Sequence, residues 1–98
     1  MAERRVVFVT GAASGIGRAT ATAFVGRGYA TALADLHEDA GRLVESELRS
    51  VGECAFFRCD VTDDDAVREA VGRVVATYGR LDAAFNAAGI DGEHGKRT

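Results

Sequence analysis

The residues best placed to do chemistry are Thr10-Gly11-Ala12-Ala13-Ser14-Gly15-Ile16-Gly17. They stand between a continuous apolar run, Val6-Val7-Phe8-Val9, and a segment whose apolar residues recur at helical spacing. A diphosphate needs backbone N–H donors at a helix N-terminus, where the macrodipole favours negative charge. Glycine suits such a turn because a Cβ would obstruct the phosphate. It also permits a tight bend and close packing of helix on strand. The main-chain amides of residues 11–17 are therefore expected to grip a diphosphate, with Gly11, Gly15, Ile16 and Gly17 in contact and Ser14 offering a phosphate-facing hydroxyl. The spacing is G-x-x-x-G-x-G. The commoner G-x-G-x-x-G would need glycine at Thr20, and a P-loop would need Gly-Lys where Ile16 and Gly17 stand. A nucleophile elbow around Ser14 would need glycine at Ala12 and Ile16.

Asp35 points to the same ligand from a second direction. It closes a second apolar run, residues 29–34, at roughly the 20-residue spacing at which the dinucleotide fingerprint puts its acidic residue. A carboxylate there accepts hydrogen bonds from the adenosine ribose hydroxyls and repels a 2′-phosphate. Its neighbours Ala34 and Leu36 are not basic. The reading is NAD rather than NADP.

Other chemistries lack their residues. His37 and His94 have no metal-ligand spacing and read as surface or loop histidines. Asp63-Asp64-Asp65 lacks the alternation and later Glu of a calcium loop, and suits the positive end of a helix instead. No metal is expected. Cys54 and Cys59, on opposite faces of a predicted strand, read as small buried hydrophobes in a reducing cytoplasm.

The elements that must position these residues follow from periodicity. The run 6–9 lacks alternation and predicts a strand buried on both faces. Ile16, Ala19, Thr20, Ala23, Phe24 and Arg27 mark a first helical stripe, closed by Gly26 and Gly28. Residues 29–34 predict a second strand. Ala40, Leu43, Val44, Leu48 and Val51 predict the buried face of a second helix, with Gly52 beyond its end. Residues 54–59 predict a third strand. Thr62 is the expected N-cap of a third helix, with Asp65 closing a capping box. Its stripe is Val67, Ala70, Val71, Val74, Val75 and Tyr78. Residues 81–86 predict a fourth strand, and 90–98 read as a loop or frayed end. The pattern β-α-β-α-β-α-β implies a Rossmann-type, doubly wound parallel α/β sheet over residues 1–89. Right-handed crossovers give the order 3-2-1-4, with the first two helices on one face and the third on the other.

Composition sets the outer bounds. The chain has 98 residues, 47% hydrophobic and 28% charged, which suits one globular domain. Its formal charge of -3, from 12 Lys+Arg and 15 Asp+Glu, argues against a nucleic-acid platform. No apolar run reaches the roughly 18 residues of a membrane span, and the run after Arg5 is too short for a signal peptide.

With these motifs in place, the chain resembles the short-chain dehydrogenase/reductase family in its non-extended form. Residues 10–17 match the family's T-G-x-x-x-G-I-G turn in full. Asp60-Val61 resembles its D-V pair, which the resemblance places along the adenine ring. Asn86-Ala87-Ala88-Gly89 resembles its N-N-A-G motif, with Ala87 replacing the second Asn. The resemblance implies reversible hydride transfer between a nicotinamide cofactor and a small alcohol or carbonyl substrate. It also implies that Asn86, Ala87 and Gly89 support the sheet and line a nucleotide ribose. The family's catalytic Tyr-x-x-x-Lys is missing: Tyr29 and Tyr78 are followed four residues on by Leu33 and Asp82, and the sole lysine is Lys96. The 98 residues alone are expected to be inactive, the amino-terminal part of a longer cytoplasmic enzyme. A sheet left incomplete on its carboxyl-terminal side exposes a strand edge and a half-covered face, so self-association into a homo-oligomer is expected. The competing readings are a non-catalytic nucleotide-binding or interaction module and, more weakly, a flavodoxin-like FMN binder in which Asp35 has no task.

Overall fold

The computed structural model describes residues 4–87; Gly89 and the tail 90–98 lie outside the described residues. The elements are β1 (Val6–Thr10), α1 (Gly15–Gly26), β2 (Ala30–Asp35), α2 (Glu38–Leu48), β3 (Cys54–Arg58), α3 (Asp64–Tyr78) and β4 (Ala83–Asn86). All pairings are parallel, in the order β3-β2-β1-β4 that chain handedness required. β1 and β2 are buried along their whole length, as continuous apolar runs in the middle of a parallel sheet should be.

Alternation along the strands divides the core in two. Val7, Val9, Leu33, Cys54 and Phe56 pack with Ala21 and Val25 of α1 and Val44 and Leu48 of α2. Val6, Phe8, Ala30, Ala32, Ala34 and Cys59 pack with Ala70 and Val74 of α3. The two cysteines are free, buried and on opposite faces. Burial pushes both thiols above their ordinary pKa, so they resist ionisation. Edge strand β3 is screened by α2: the Phe56 amide donates to Glu45 Oε2 at 2.9 Å, and Arg42 lies 5.3 Å over the Phe56 ring.

The buried helix faces differ from those expected. On α1 the buried line is Gly17, Ala21 and Val25, while Ile16 is 43% exposed and Ala19, Ala23 and Arg27 face outward. The reason is steric. A Cβ on Gly17 would lie 1.9 Å from the Gly11 carbonyl oxygen, so the helix turns its thinnest line, not its most apolar one, toward the strand. On α2 the line is Gly41, Val44 and Leu48. Ala40 is exposed, as are Leu43 (60%) and Val51 (59%). Gly41 sits over the Phe56 ring, where a Cβ would come within 2.0 Å of an edge carbon. The α3 stripe holds except at Val75, which is exposed.

The cap of α3 is also corrected. Asp63, not Thr62, is the N-cap, accepting from the amides of Asp65 (3.0 Å) and Ala66 (3.3 Å). Thr62 lies outside the helix and donates its hydroxyl to Asp60 Oδ1 at 2.6 Å. β4 is shorter than residues 81–86 because Asp82 serves as a clamp: its carboxylate accepts from the Val6 amide at 2.7 Å, ahead of the first ladder pair. Among the described residues, no helix is long and apolar enough to cross a membrane.

Candidate nucleotide-binding site

Parallel strands bring their carboxyl ends to one edge of the sheet, where Thr10, Asp35, Arg58 and Asn86 terminate β1 to β4. Strand order reverses beside β1, and ligands of open α/β sheets bind in the crevice outside such a point. The glycine turn leaves β1 at this place. Gly11 and Gly15 adopt φ of 66° and 60°, which a side chain would strain, whereas Gly17 serves close approach.

The amides of the turn fall into two sets, which narrows the expectation for residues 11–17. Ala12 N–H donates to Ala34 O at 3.1 Å and Ala13 N–H to Asp35 Oδ2 at 3.0 Å, so both are engaged in holding the turn on β2. The first helical bond is Arg18 N–H to Ser14 O at 3.2 Å. The amides of Gly15, Ile16 and Gly17 precede it and have no intrahelical acceptor. Ser14, extended and exposed, makes no side-chain cap bond. Nor has α1 an acid in its first turn, whereas α2 has Glu38 and Asp39, and α3 has Asp64 and Asp65. The positive end of α1 is thus open to an anion.

Asp35 is 8% exposed. Its Oδ2 accepts from Ala13, while Oδ1 accepts from the His37 amide at 2.9 Å and lies 3.0 Å from His37 Nδ1. Burial opposes its ionisation, but the hydrogen bonds from the His37 and Ala13 amides and from the His37 ring outweigh it and hold the carboxyl below its usual pKa. His37 is exposed, as a surface histidine should be, yet sequence reasoning missed its tie to Asp35. The signal was available: an Asp commonly accepts from the amide two residues on.

Asp60 follows β3 and accepts from the Thr62 hydroxyl and, at 3.0 Å, from its amide; these bonds hold its pKa down. Val61 packs partly buried on the α3 face. Asn86 Oδ1 accepts from the Thr10 hydroxyl at 2.7 Å, joining the ends of β1 and β4, and Ala87 is fully buried beyond it. The glycine turn, Asp35, Asp60 and Asn86 therefore share one edge. The tyrosines lie at the other end: Tyr29 precedes β2 and packs edge-on against Phe24, with ring centroids 4.9 Å apart. Tyr78 donates to Glu53, just ahead of β3, and burial beside that carboxylate raises its pKa far above the usual phenol value. Among the described residues, no cluster of three or more His, Cys, Asp or Glu could hold a metal ion.

A model of the short chain dehydrogenase family matches residues 5–98. This chain belongs to that family. It is 42% identical over 86 residues to 2,5-dichloro-2,5-cyclohexadiene-1,4-diol dehydrogenase of Sphingobium indicum, covering 88% of this chain and 34% of that protein. It is 41% identical over 88 residues to secoisolariciresinol dehydrogenase of Forsythia intermedia, covering 90% and 31%. The crystal structure of a hydroxysteroid dehydrogenase from Escherichia coli superposes with a TM-score of 0.82 at 26% identity, over 86% of this chain and 36% of that one. The chain spans about a third of the length of these relatives.

Proposed function

We propose that this short chain dehydrogenase chain binds NAD(H) along the carboxyl edge of its sheet. In that role it is the cofactor-binding portion of an enzyme moving hydride between nicotinamide and an alcohol or carbonyl. The observation that carries this reading is the open N-terminus of α1, where, among the described residues, the amides of Gly15, Ile16 and Gly17 lack acceptors and neither a cap nor an acid takes their place. A diphosphate satisfies those donors, with Gly11 bending the chain and Ser14 adding its hydroxyl.

The adenosine side fits Asp35. An ionised carboxylate offers about four acceptor positions. Three are taken by Ala13 and His37, and one of those by an exposed ring. A ribose hydroxyl has the remaining position on Oδ2 and can displace the ring on Oδ1. A 2′-phosphate would meet a fixed negative charge, which favours NAD over NADP. Asp60 and Val61 would border the adenine, and Asn86, Ala87 and Gly89 a ribose. Bound NAD(H) supplies the hydride. The proton at the reacting oxygen needs a separate donor, and neither Tyr29 nor Tyr78 lies at this edge. We therefore expect no turnover from these 98 residues alone. Two relatives named as dehydrogenases, one of a cyclohexadiene diol and one of a hydroxysteroid, support the substrate class. The buried free thiols fit a reducing cytoplasm.

Titration of NADH fluorescence tests the proposal. Saturable binding is expected, weakened about tenfold or more by Asp35→Ala, with a smaller loss for NADPH because the repelling charge is gone. Unchanged cofactor preference in that variant would contradict the role given to Asp35.

A further inference from the structure

We propose that His37 makes the cofactor preference of this site depend on pH, because its ring competes with the adenosine ribose for Asp35 Oδ1. The inference rests on the reading of Asp35 as the ribose acceptor and adds a specificity residue to it. Three donors hold the Asp35 carboxylate, and they are not equivalent. The Ala13 amide belongs to the glycine turn and the His37 amide to the turn entering α2, so both are fixed by the backbone. The third, His37 Nδ1 at 3.0 Å, is carried by a side chain that is 78% exposed, against 10% for Asp35 itself. It is the one donor that can leave without unfolding anything. The ring also borders an open depression formed with Glu38, Asp39 and Ala40.

Protonation changes what the ring does. A neutral imidazole gives Asp35 one ordinary hydrogen bond that an incoming hydroxyl can replace. An imidazolium binds the same oxygen with charge assistance, competes harder with the ribose, and cancels the charge that turns away a 2′-phosphate. Its second N–H is then free to donate to that phosphate. The charged groups beside the ring are Asp35 at the end of β2 and Glu38 and Asp39 in the first turn of α2; across the sheet, Arg58 is the register partner of Asp35 on β3. Imidazole alone among these types changes charge between pH 5 and 8. Acidification should therefore weaken NADH and spare NADPH.

The experiment measures the dissociation constants of NADH and NADPH by fluorescence at pH 5.5, 6.5 and 8.0. It compares the wild-type chain with His37→Gln and His37→Ala. Both variants retain Asp35 and supply the baseline, including the titration of the 2′-phosphate itself. The wild-type preference for NADH should fall about three- to tenfold more than that baseline between pH 8.0 and 5.5. At pH 5.5 His37→Ala should bind NADH several-fold more tightly than wild type. A wild-type ratio that tracks the variants, with NADH binding still weakened by Asp35→Ala, would overturn the role of His37 alone. Failure of wild type to bind either nucleotide at any pH would overturn the underlying reading as well.

Discussion

The glycines of the turn do separate work, and each can be removed separately. Gly11 and Gly15 supply positive φ, whereas Gly17 lets α1 rest on the turn. Gly17→Ala must push backbone from backbone, since its Cβ would meet the Gly11 carbonyl; a loss of about 1–3 kcal/mol or more is expected in urea unfolding. Ser14→Ala should behave oppositely. With no cap bond to lose it should cost only a few tenths of a kcal/mol, yet weaken NADH binding. Asp35 carries a pH signature. Its carboxyl titrates in the fold below the ordinary 3.8, so its contribution is fully present above that value and is lost as pH falls through the folded value. Asp35→Asn should therefore be less stable than wild type by about 1–3 kcal/mol at pH 6, with the gap closing below pH 3.8 in urea titrations. A gap that widened on acidification would contradict the assignment. At this scale Asp35 and the glycines were legible because their types are demanded by backbone geometry and charge. For His37 the amide bond to Asp35 was legible as a turn signal, but the ring contact was not, because only the bend after β2 brings the ring back onto Asp35.

Elements were legible in kind and order, and less so in which face they bury. Strand and helix alternation followed from apolar periodicity and glycine punctuation. The buried lines of α1 and α2, by contrast, were chosen by Gly17 and Gly41, because the closest approach between helix and sheet rewards the absence of a side chain. Counting apolar residues therefore picked Ile16 and Leu43, both of which are exposed. The start of α3 shows a similar limit. Thr62 and Asp63 are both good caps, and the Thr62 hydroxyl is drawn off by Asp60. Asp63→Ala should cost about 1 kcal/mol in thermal or chemical unfolding, and Thr62→Ala measurably less. The reverse order would restore Thr62 as the cap.

Across the whole molecule, the 3-2-1-4 sheet joins two half-cores through β1 and β2, and Leu33 lies at the centre of one of them, fully buried. Leu33→Ala should cost about 2–5 kcal/mol, a large part of the roughly 5–15 kcal/mol a domain of this size possesses. The order was legible because right-handed crossovers leave few alternatives. Among the described residues, the α3 face is covered by one helix and β4 has β1 as its one neighbour. The 98-residue chain on its own is therefore expected to associate as its concentration rises in light scattering; a strictly monomeric chain would show that this surface is tolerated. The central claim is that a diphosphate docks on the free amides at the start of α1. The most direct test follows the backbone amides of the isotope-labelled chain by NMR as NADH is added. Saturable shifts at Gly15, Ile16 and Gly17, with residues at the opposite end of the sheet unmoved, are the expected result. NADH binding that leaves those three amides unchanged would contradict it.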